Sequence, residues 1–230
     1  MNISDFVIVP ALEQHMAYAE TICNEMFESA KARGTGIARR SPEYVAGKMK
    51  EGKAVIAIHK DGTWAGFCYI ETWSHGEYVA NSGLVVNPQF RKVGLAKAIK
   101  KRIFELSREK YPKAKIFGLT TGLAVMKINS DLGYEPVTYS ELTQDEDFWK
   151  GCQSCVNYDI LKSKDRKNCM CTAMLWDPVE KEKEIRERME QKAKAKERLE
   201  RLTKKSSLLK RIEARLWRST KKMVATVLVR

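Results

Sequence analysis

The stretch from Asn81 to Leu106 constrains this chain more than any other. Leu84-Val85-Val86 is a continuous apolar run, the signature of a strand buried on both faces. Asn87-Pro88 ends it, because proline cannot continue a ladder and biases the residue before it away from the helical region. The basic segment Arg91-Lys92-Val93-Gly94-Leu95-Ala96 comes next, and then apolar residues recur at Leu95, Ile99, Ile103 and Leu106, one face of an α-helix. The order is strand, short basic loop, helix. The first turn of such a helix offers unsatisfied backbone N–H groups and the positive end of the helix dipole. Gly94 and Ala96 carry almost no side chain there, so an anion can approach the backbone, and Arg91, Lys92 and Lys97 add positive charge. The loop is built for a polyanion, most simply a pyrophosphate.

The elements around it read as a mixed α/β chain. Phe6 to Val9 is a first strand and Glu13 to Ala32 a helix. The loop Arg33 to Arg40 holds three arginines and two glycines. Ser41-Pro42-Glu43 then starts a helix with an N-cap and a proline at its first position, and Gly52 stops it. Ala54 to Ile58 and Trp64 to Thr72 are strands joined by the hairpin signal Asp61-Gly62, and Tyr78 to Val86 follows. After the Leu95 helix come a strand, Lys115 to Thr120, and a helix from Leu123 to Leu132. A short strand, Pro136 to Tyr139, and a helical turn, Asp145 to Lys150, come next. Two strand-like pieces at either end of Val156 to Trp176 close the domain as a hairpin. A mostly antiparallel sheet with helices on both faces accommodates this order.

Charge divides the chain. Its 230 residues carry a net +13, and from Asp177 onward there are 18 Lys/Arg against 9 Asp/Glu. The expected organisation is therefore a globular domain, 1–176, and a basic helical extension, 177–230. Glutamates interleaved with the lysines of the extension dilute its field, and no aromatic stacking pattern accompanies them, which argues against nucleic acid as a partner. Its thin stripe, Ile185, Met189, Leu199 and Leu202, and the patch at Leu208, Leu209, Ile212, Leu216 and Trp217 suit self-association into a homo-oligomer. No run approaches the ~18 apolar residues of a membrane span. The N-terminus lacks a basic, apolar leader, so six cysteines are expected as reduced thiols in the cytoplasm.

The pattern R-x-x-G-x-A over Arg91 to Ala96, after a strand and opening a helix, resembles the acyl-CoA loop of the GNAT (GCN5-related N-acetyltransferase) superfamily. The resemblance spans roughly Phe6 to Trp176 and implies the GNAT fold, with acetyl-CoA or a related acyl-CoA as co-substrate. It implies backbone contacts to the pyrophosphate from Arg91, Lys92, Val93, Gly94, Leu95 and Ala96. It also implies main-chain contacts from Leu84, Val85 and Val86 to the pantetheine arm, which in the family lies where that strand splays from its neighbour. Many members use a tyrosine one residue after an apolar position, in a pattern ending Leu-Gly-Phe, as acid or hydrogen-bond donor for the leaving thiolate. The matching ending here is Leu132-Gly133-Tyr134, and the tyrosine's position is occupied by Asn129, a residue able to hydrogen-bond the cofactor amide or sulfur. The runs R-G-T-G-I-A-R-R (33–40), F-G-L-T-T-G-L-A-V-M-K-I-N (117–129) and F-W-K-G-C-Q-S-C-V-N-Y-D (148–159) are similar to small members associated with arginine biosynthesis. Those are thought to acylate the α-amine of glutamate.

An N-acyltransferase needs a neutral amine, hence a base acting directly or through water. Glu71, in the alternating strand Tyr69-Ile70-Glu71-Thr72-Trp73, is the leading candidate, ahead of His75 and Glu77; the competing reading is an outward strand carboxylate. Arg33, Arg39 and Arg40 suit a small acidic amine acceptor, since a guanidinium grips a carboxylate with two parallel hydrogen bonds; solvated loop cations are the bland reading. Four thiols, Cys152, Cys155, Cys169 and Cys171, have spacing from which a structural zinc site can be built, although the second pair is C-x-C. Buried small apolar residues or a redox pair are the alternatives. Cys23 and Cys68 fall in core patterns and are expected to be inert.

Overall fold

A computed structural model describes residues 1–32, 34 and 39–227. The chain separates into two compact units, Met1–Pro178 and Val179–Arg230. In the first, strands β1 (Phe6–Pro10), β2 (Ala54–His59), β3 (Trp64–Trp73), β4 (Tyr78–Val86), β5 (Lys115–Thr120), β6 (Glu135–Val137) and β7 (Thr172–Trp176) form one sheet in the order β1-β2-β3-β4-β5-β7-β6. Every neighbouring pair is antiparallel except β4 and β5, which run parallel. The helices are α1 (Ala19–Ala32), α2 (Pro42–Lys50), α3 (Leu95–Lys110), α4 (Leu123–Asp131), α5 (Glu146–Lys150) and α6 (Tyr158–Ser163).

Local chemistry sets the boundaries. The Ser41 hydroxyl accepts the Tyr44 N–H at 3.2 Å, with Pro42 in the first turn of α2. The Asp61 carboxylate accepts the Thr63 N–H at 2.8 Å and shapes the β2–β3 turn. The segment before α1, Glu13–Tyr18, is a 3-10 helix, a tighter lead-in than the single helix the periodicity suggests.

Alternation along the strands builds a core on each face. On one, Leu95, Ile99, Ile103 and Leu106 of α3 pack with Val55, Ala65, Cys68, Ile70, Val79 and Ile116. On the other, Ile22 and Met26 of α1 and Val45 and Met49 of α2 cover Ile56, Phe67, Tyr69 and Val85. A third cluster, including Phe117, Leu175, Trp149 and Leu161, lies under α5 and α6. Ile99 and Ile103 are fully buried, each removing enough apolar surface to stabilise by about 2 kcal/mol.

The expected strand after Val156 is instead the helix α6, and β7 pairs with β5 and β6 in place of a closing hairpin. A single buried residue, Leu161, anchors α6, too sparse an apolar pattern to separate a short helix from a strand.

The second unit continues α7 (Pro178–Val227). Ile185, Met189, Leu199 and Leu202 are all exposed along it, and Glu197 pairs with Arg201 at 2.7 Å one turn on. No helix among the described residues is long and apolar enough to cross a membrane.

Candidate active site

Two features of β4 create an opening in the sheet. Its pairing with β5 covers Tyr78↔Lys115, Val79↔Ile116 and Ala80↔Phe117 and then stops. Beyond that point β5 pairs with β7 through Thr120, while β4 continues to Val86 against β3. The β3–β4 register shifts between Phe67 and Tyr69, so β4 carries a bulge there. Gly83 sits in the bulge at φ +64, and a Cβ built on it would lie 2.3 Å from Tyr69 Cε1. Leu84, Val85 and Val86 therefore lie on the part of β4 that has no pairing with β5.

That part of β4 runs straight into the basic loop. Gly94, at φ +87, is the N-cap of α3 with no side-chain cap, and a Cβ there would meet nothing within 4 Å. The first-turn amides of α3 thus have no capping side chain, and the space over Gly94 is open. Lys92, at φ +69, is exposed; Val93 and Ala96 are half-buried and Leu95 is core. The cations around the loop are largely committed elsewhere. Arg91 Nη2 reaches Glu25 Oε1 at 2.9 Å and Ser29 Oγ at 2.7 Å, and its Nε reaches Val86 O at 3.2 Å. Lys97 pairs with Asp131 at 2.7 Å. Arg91 ties the loop to α1.

On the face covered by α1 and α2 lies a buried polar network that sequence separation conceals. Glu71, 3% exposed, accepts from Arg40 Nη2 at 3.1 Å, Tyr44 Oη at 2.5 Å and Ser82 Oγ at 2.5 Å. Arg40 Nε also donates to Tyr69 Oη at 3.1 Å. Glu71 is thus not an outward strand carboxylate. Burial pushes the Tyr69 and Tyr44 phenols up, and the neighbouring Glu71 charge pushes them further. Burial opposes the Arg40 charge, but Tyr69, Glu71 and Tyr44 more than offset it, so the guanidinium is held charged more firmly than usual. His75 and Glu77 are exposed and outside this network.

Of the arginines expected to act together, Arg39 and Arg40 engage different partners. Arg40 has its fork engaged by Tyr69 and Glu71, and Nη1 reaches Arg39 O at 3.4 Å. Arg39 stacks its guanidinium 4.2 Å above the Phe27 ring, with no ion pair among the described residues, and its backbone N–H reaches Ser154 Oγ. Arg33 lies outside the described residues.

The four cysteines gather around one small cavity of about 30 Å³, lined also by Tyr139 and Trp149. Yet no group of three or more Cys, His, Asp or Glu among the described residues is arranged to hold a metal ion, so the zinc reading lacks support. Burial, reinforced by the neighbouring thiols, pushes Cys152 up to about 11 and Cys171 up to about 12, as for protonated thiols in an apolar setting.

No protein-family model matches the chain. Among curated proteins, the thialysine N-epsilon-acetyltransferase of Caenorhabditis elegans is 28% identical over 145 residues, covering 62% of this chain and 88% of that one. Among solved structures, N-acetylglutamate synthase from Neisseria gonorrhoeae, complexed with coenzyme A and N-acetyl-glutamate, matches with a TM-score of 0.53 at 17% identity. That match covers 75% of this chain and 35% of the synthase, so this chain spans about a third of its length. A GNAT superfamily phosphinothricin acetyltransferase from Sinorhizobium meliloti, in complex with AcCoA, matches with a TM-score of 0.51 at 14% identity, over 75% of this chain and 88% of that one. The chain has the GNAT fold.

Asn129 of α4, the residue that the resemblance sets at the tyrosine position, is 1% exposed. Its Nδ2 lies 3.7 Å from Met174 Sδ, and its Oδ1 is buried with no partner. A buried carbonyl oxygen left open is costly unless a ligand completes it. The sequence reading missed Tyr44, Tyr69 and Ser82. The one available signal was the strand alternation that puts Tyr69 and Glu71 on the same face of β3.

Proposed function

We propose that this chain is an acyl-CoA-dependent N-acyltransferase acting on the amine of a small acidic acceptor, with the α-amine of glutamate the favoured one. The observation that carries the reading is the path of β4: it leaves β5 at Ala80/Phe117 and leads into the uncapped start of α3. An extended pantetheine arm fits the gap as a surrogate strand. Amides of Arg91 to Ala96 fit the pyrophosphate. The acidic acceptor is supported by Arg39, whose fork has no carboxylate partner among the described residues.

In this reading the acceptor amine attacks the thioester carbonyl directly, and backbone N–H groups of β4 stabilise the oxygen as it gains charge. Ser82 takes a proton from the amine and passes its own to Glu71, along a hydrogen bond already formed at 2.5 Å. Arg40 and Tyr44 hold the Glu71 carboxylate in place.

The test is a panel of amino acids assayed against acetyl-CoA and succinyl-CoA, following free thiol. Glutamate or another acidic amino acid is expected to give the highest kcat/KM. Thiol release with lysine-like or peptide amines alone would replace the acidic acceptor with a basic or protein one. Thiol release with none of them, together with no CoA binding, would overturn the enzymatic reading.

A further inference from the structure

Lys100 is a lysine where the packing asks for an apolar residue. It lies on α3 between the core residues Ile99 and Ile103, and it is 2% exposed. Its Nζ sits 5.4 Å from the centre of the Tyr134 ring. Gly118 of β5 marks where it ends: a Cβ built there would be 4.0 Å from Lys100 Nζ and 3.8 Å from Asn129 Nδ2. Gly118 directly follows Phe117, the last residue of β5 paired with β4. Two buried polar ends from different helices thus converge where the sheet opens. Lys100 Nζ rests against the Tyr134 ring with no ion pair among the described residues, and Asn129 Oδ1 is buried without a hydrogen-bond partner.

We propose that Lys100 is the acid that protonates the departing CoA sulfur, with Asn129 beside it orienting the thioester end of the donor. The assignment rests on the acyl-CoA reading above. An amide side chain at the tyrosine position has no acidic proton to give, so Asn129 by itself leaves the thiolate without an acid. A buried ammonium with no counter-charge is costly, whereas methionine or leucine would fill the same space without that cost. The titratable groups facing Lys100 do not neutralise it. Burial pushes the Cys68 thiol of β3 up to about 11 and the Tyr134 phenol well above its usual range, so both are uncharged at neutral pH. Burial moves Lys100 down from the ordinary lysine range, nearer to a thiol and better matched for transfer.

The step balances. As the new C–N bond forms and the C–S bond breaks, sulfur keeps the electron pair and takes a proton from Lys100 Nζ. The proton lost by the acceptor amine leaves through Ser82 and Glu71. Lys100 ends neutral and regains its proton from water.

Lys100→Met in the full chain separates this role from packing, since methionine keeps the length and removes the buried charge. It is expected to melt at or above the wild-type temperature. With acetyl-CoA, kcat is expected to fall about 100-fold or more with little change in KM. A thioester of an acidic aryl thiol, which needs no proton to leave, should restore most of the rate. Equal losses with both donors would overturn the role. A second readout needs no turnover: the ultraviolet absorbance of bound CoA thiolate, titrated against pH. The CoA thiol is expected to ionise about 1–3 units lower on the wild type than on Lys100→Met, as for a group facing an opposite charge. Lys100→Arg, which keeps the charge, should retain most of that shift. Identical titrations on wild type and Lys100→Met would refute the proposal. If CoA binds and shows the shift but no acceptor is acylated, Lys100 stands and the transferase reading alone fails; if CoA does not bind, both fall.

Discussion

Replacing Gly83 with alanine probes whether the β4 bulge is as tightly wedged as the geometry indicates. Gly83 has φ +64, a conformation that costs a residue with a side chain about 1–2 kcal/mol. The new methyl would stand 2.3 Å and 2.9 Å from Tyr69 Cε1 and Cδ1 and 2.7 Å from Met26 Cε. Met26 ends in a flexible thioether and can move aside. Tyr69 is 2% exposed, packed against Phe67 and Tyr44, and held at its hydroxyl by Arg40. Relieving that overlap adds about 1–3 kcal/mol. The total, about 2–5 kcal/mol, corresponds to a melting-temperature drop of about 5–15 °C for a chain of this size. Gly94→Ala is the control. Its φ of +87 carries the same conformational cost, but its methyl would enter open space, so its melting temperature should fall by about 2–8 °C at most. Thermal denaturation followed by circular dichroism compares the two. If Gly83→Ala melts within a degree or so of Gly94→Ala, Tyr69 is not braced against the bulge and the reasoning fails. The order should invert for CoA affinity, with Gly94→Ala the weaker binder, because its methyl occupies the approach to the α3 amides.

Arg39→Ala should raise the acceptor KM about tenfold or more, the loss of a charge-assisted hydrogen bond, with little effect on the acyl-CoA KM; an unchanged acceptor KM in steady-state kinetics would remove Arg39 from the acceptor site. Glu71→Gln should cut kcat about 100-fold or more and also destabilise the fold by about 3 kcal/mol, because Arg40 loses its carboxylate partner at 3.1 Å; urea unfolding that shows no change would mean the pair is not structural. The Thr63 N–H, with help from His59, holds the Asp61 carboxyl down at about 2. Its folded value lies below the unfolded one of about 3.9, so its contribution is present above roughly pH 4 and lost as pH falls towards 2. Asp61→Asn should flatten that part of the melting-temperature profile, and a profile parallel to wild type would contradict the assignment.

The strand, loop and helix of the proposed donor site were legible because their determinants are local. An apolar run, Asn87-Pro88, Gly94 and the spacing of Leu95, Ile99, Ile103 and Leu106 specify strand, loop and helix within a single window. The polar network of the proposed acceptor side was not legible in its arrangement. Glu71 and Arg40 both stood out, but their contact joins residues 31 positions apart, and no periodicity announces it. Arg91 reads as a loop cation, yet its partner Glu25 lies 66 positions away on α1. Lys100 was hidden for the opposite reason. Beside Lys101 and Arg102 it resembles a solvated helix face, and its burial follows from the turn of α3 that also buries Ile99 and Ile103. The α6 helix escaped notice because one buried side chain leaves almost no pattern to read.

The short contact between β4 and β5 bears on how this sheet is assembled. Seven residue pairs register β3 against β4, and three register β4 against β5. The sheet is therefore two half-sheets, β1-β2-β3-β4 and β5-β7-β6, joined along a narrow seam. The first half is made largely of local hairpins and closes cheaply, whereas the seam links residues 37 positions apart, such as Tyr78 and Lys115, and must be closed across α3. A ligand lying along the free part of β4 would bridge both halves at the line where the backbone holds them least, so a hundredfold excess over Kd would add about 2.7 kcal/mol at that line. Substrate availability would thereby govern cooperativity: with the donor in place the halves unfold as one unit, and in its absence the seam-facing amides of β5, such as that of Lys115, which donates to Glu77 O, exchange ahead of those facing β7.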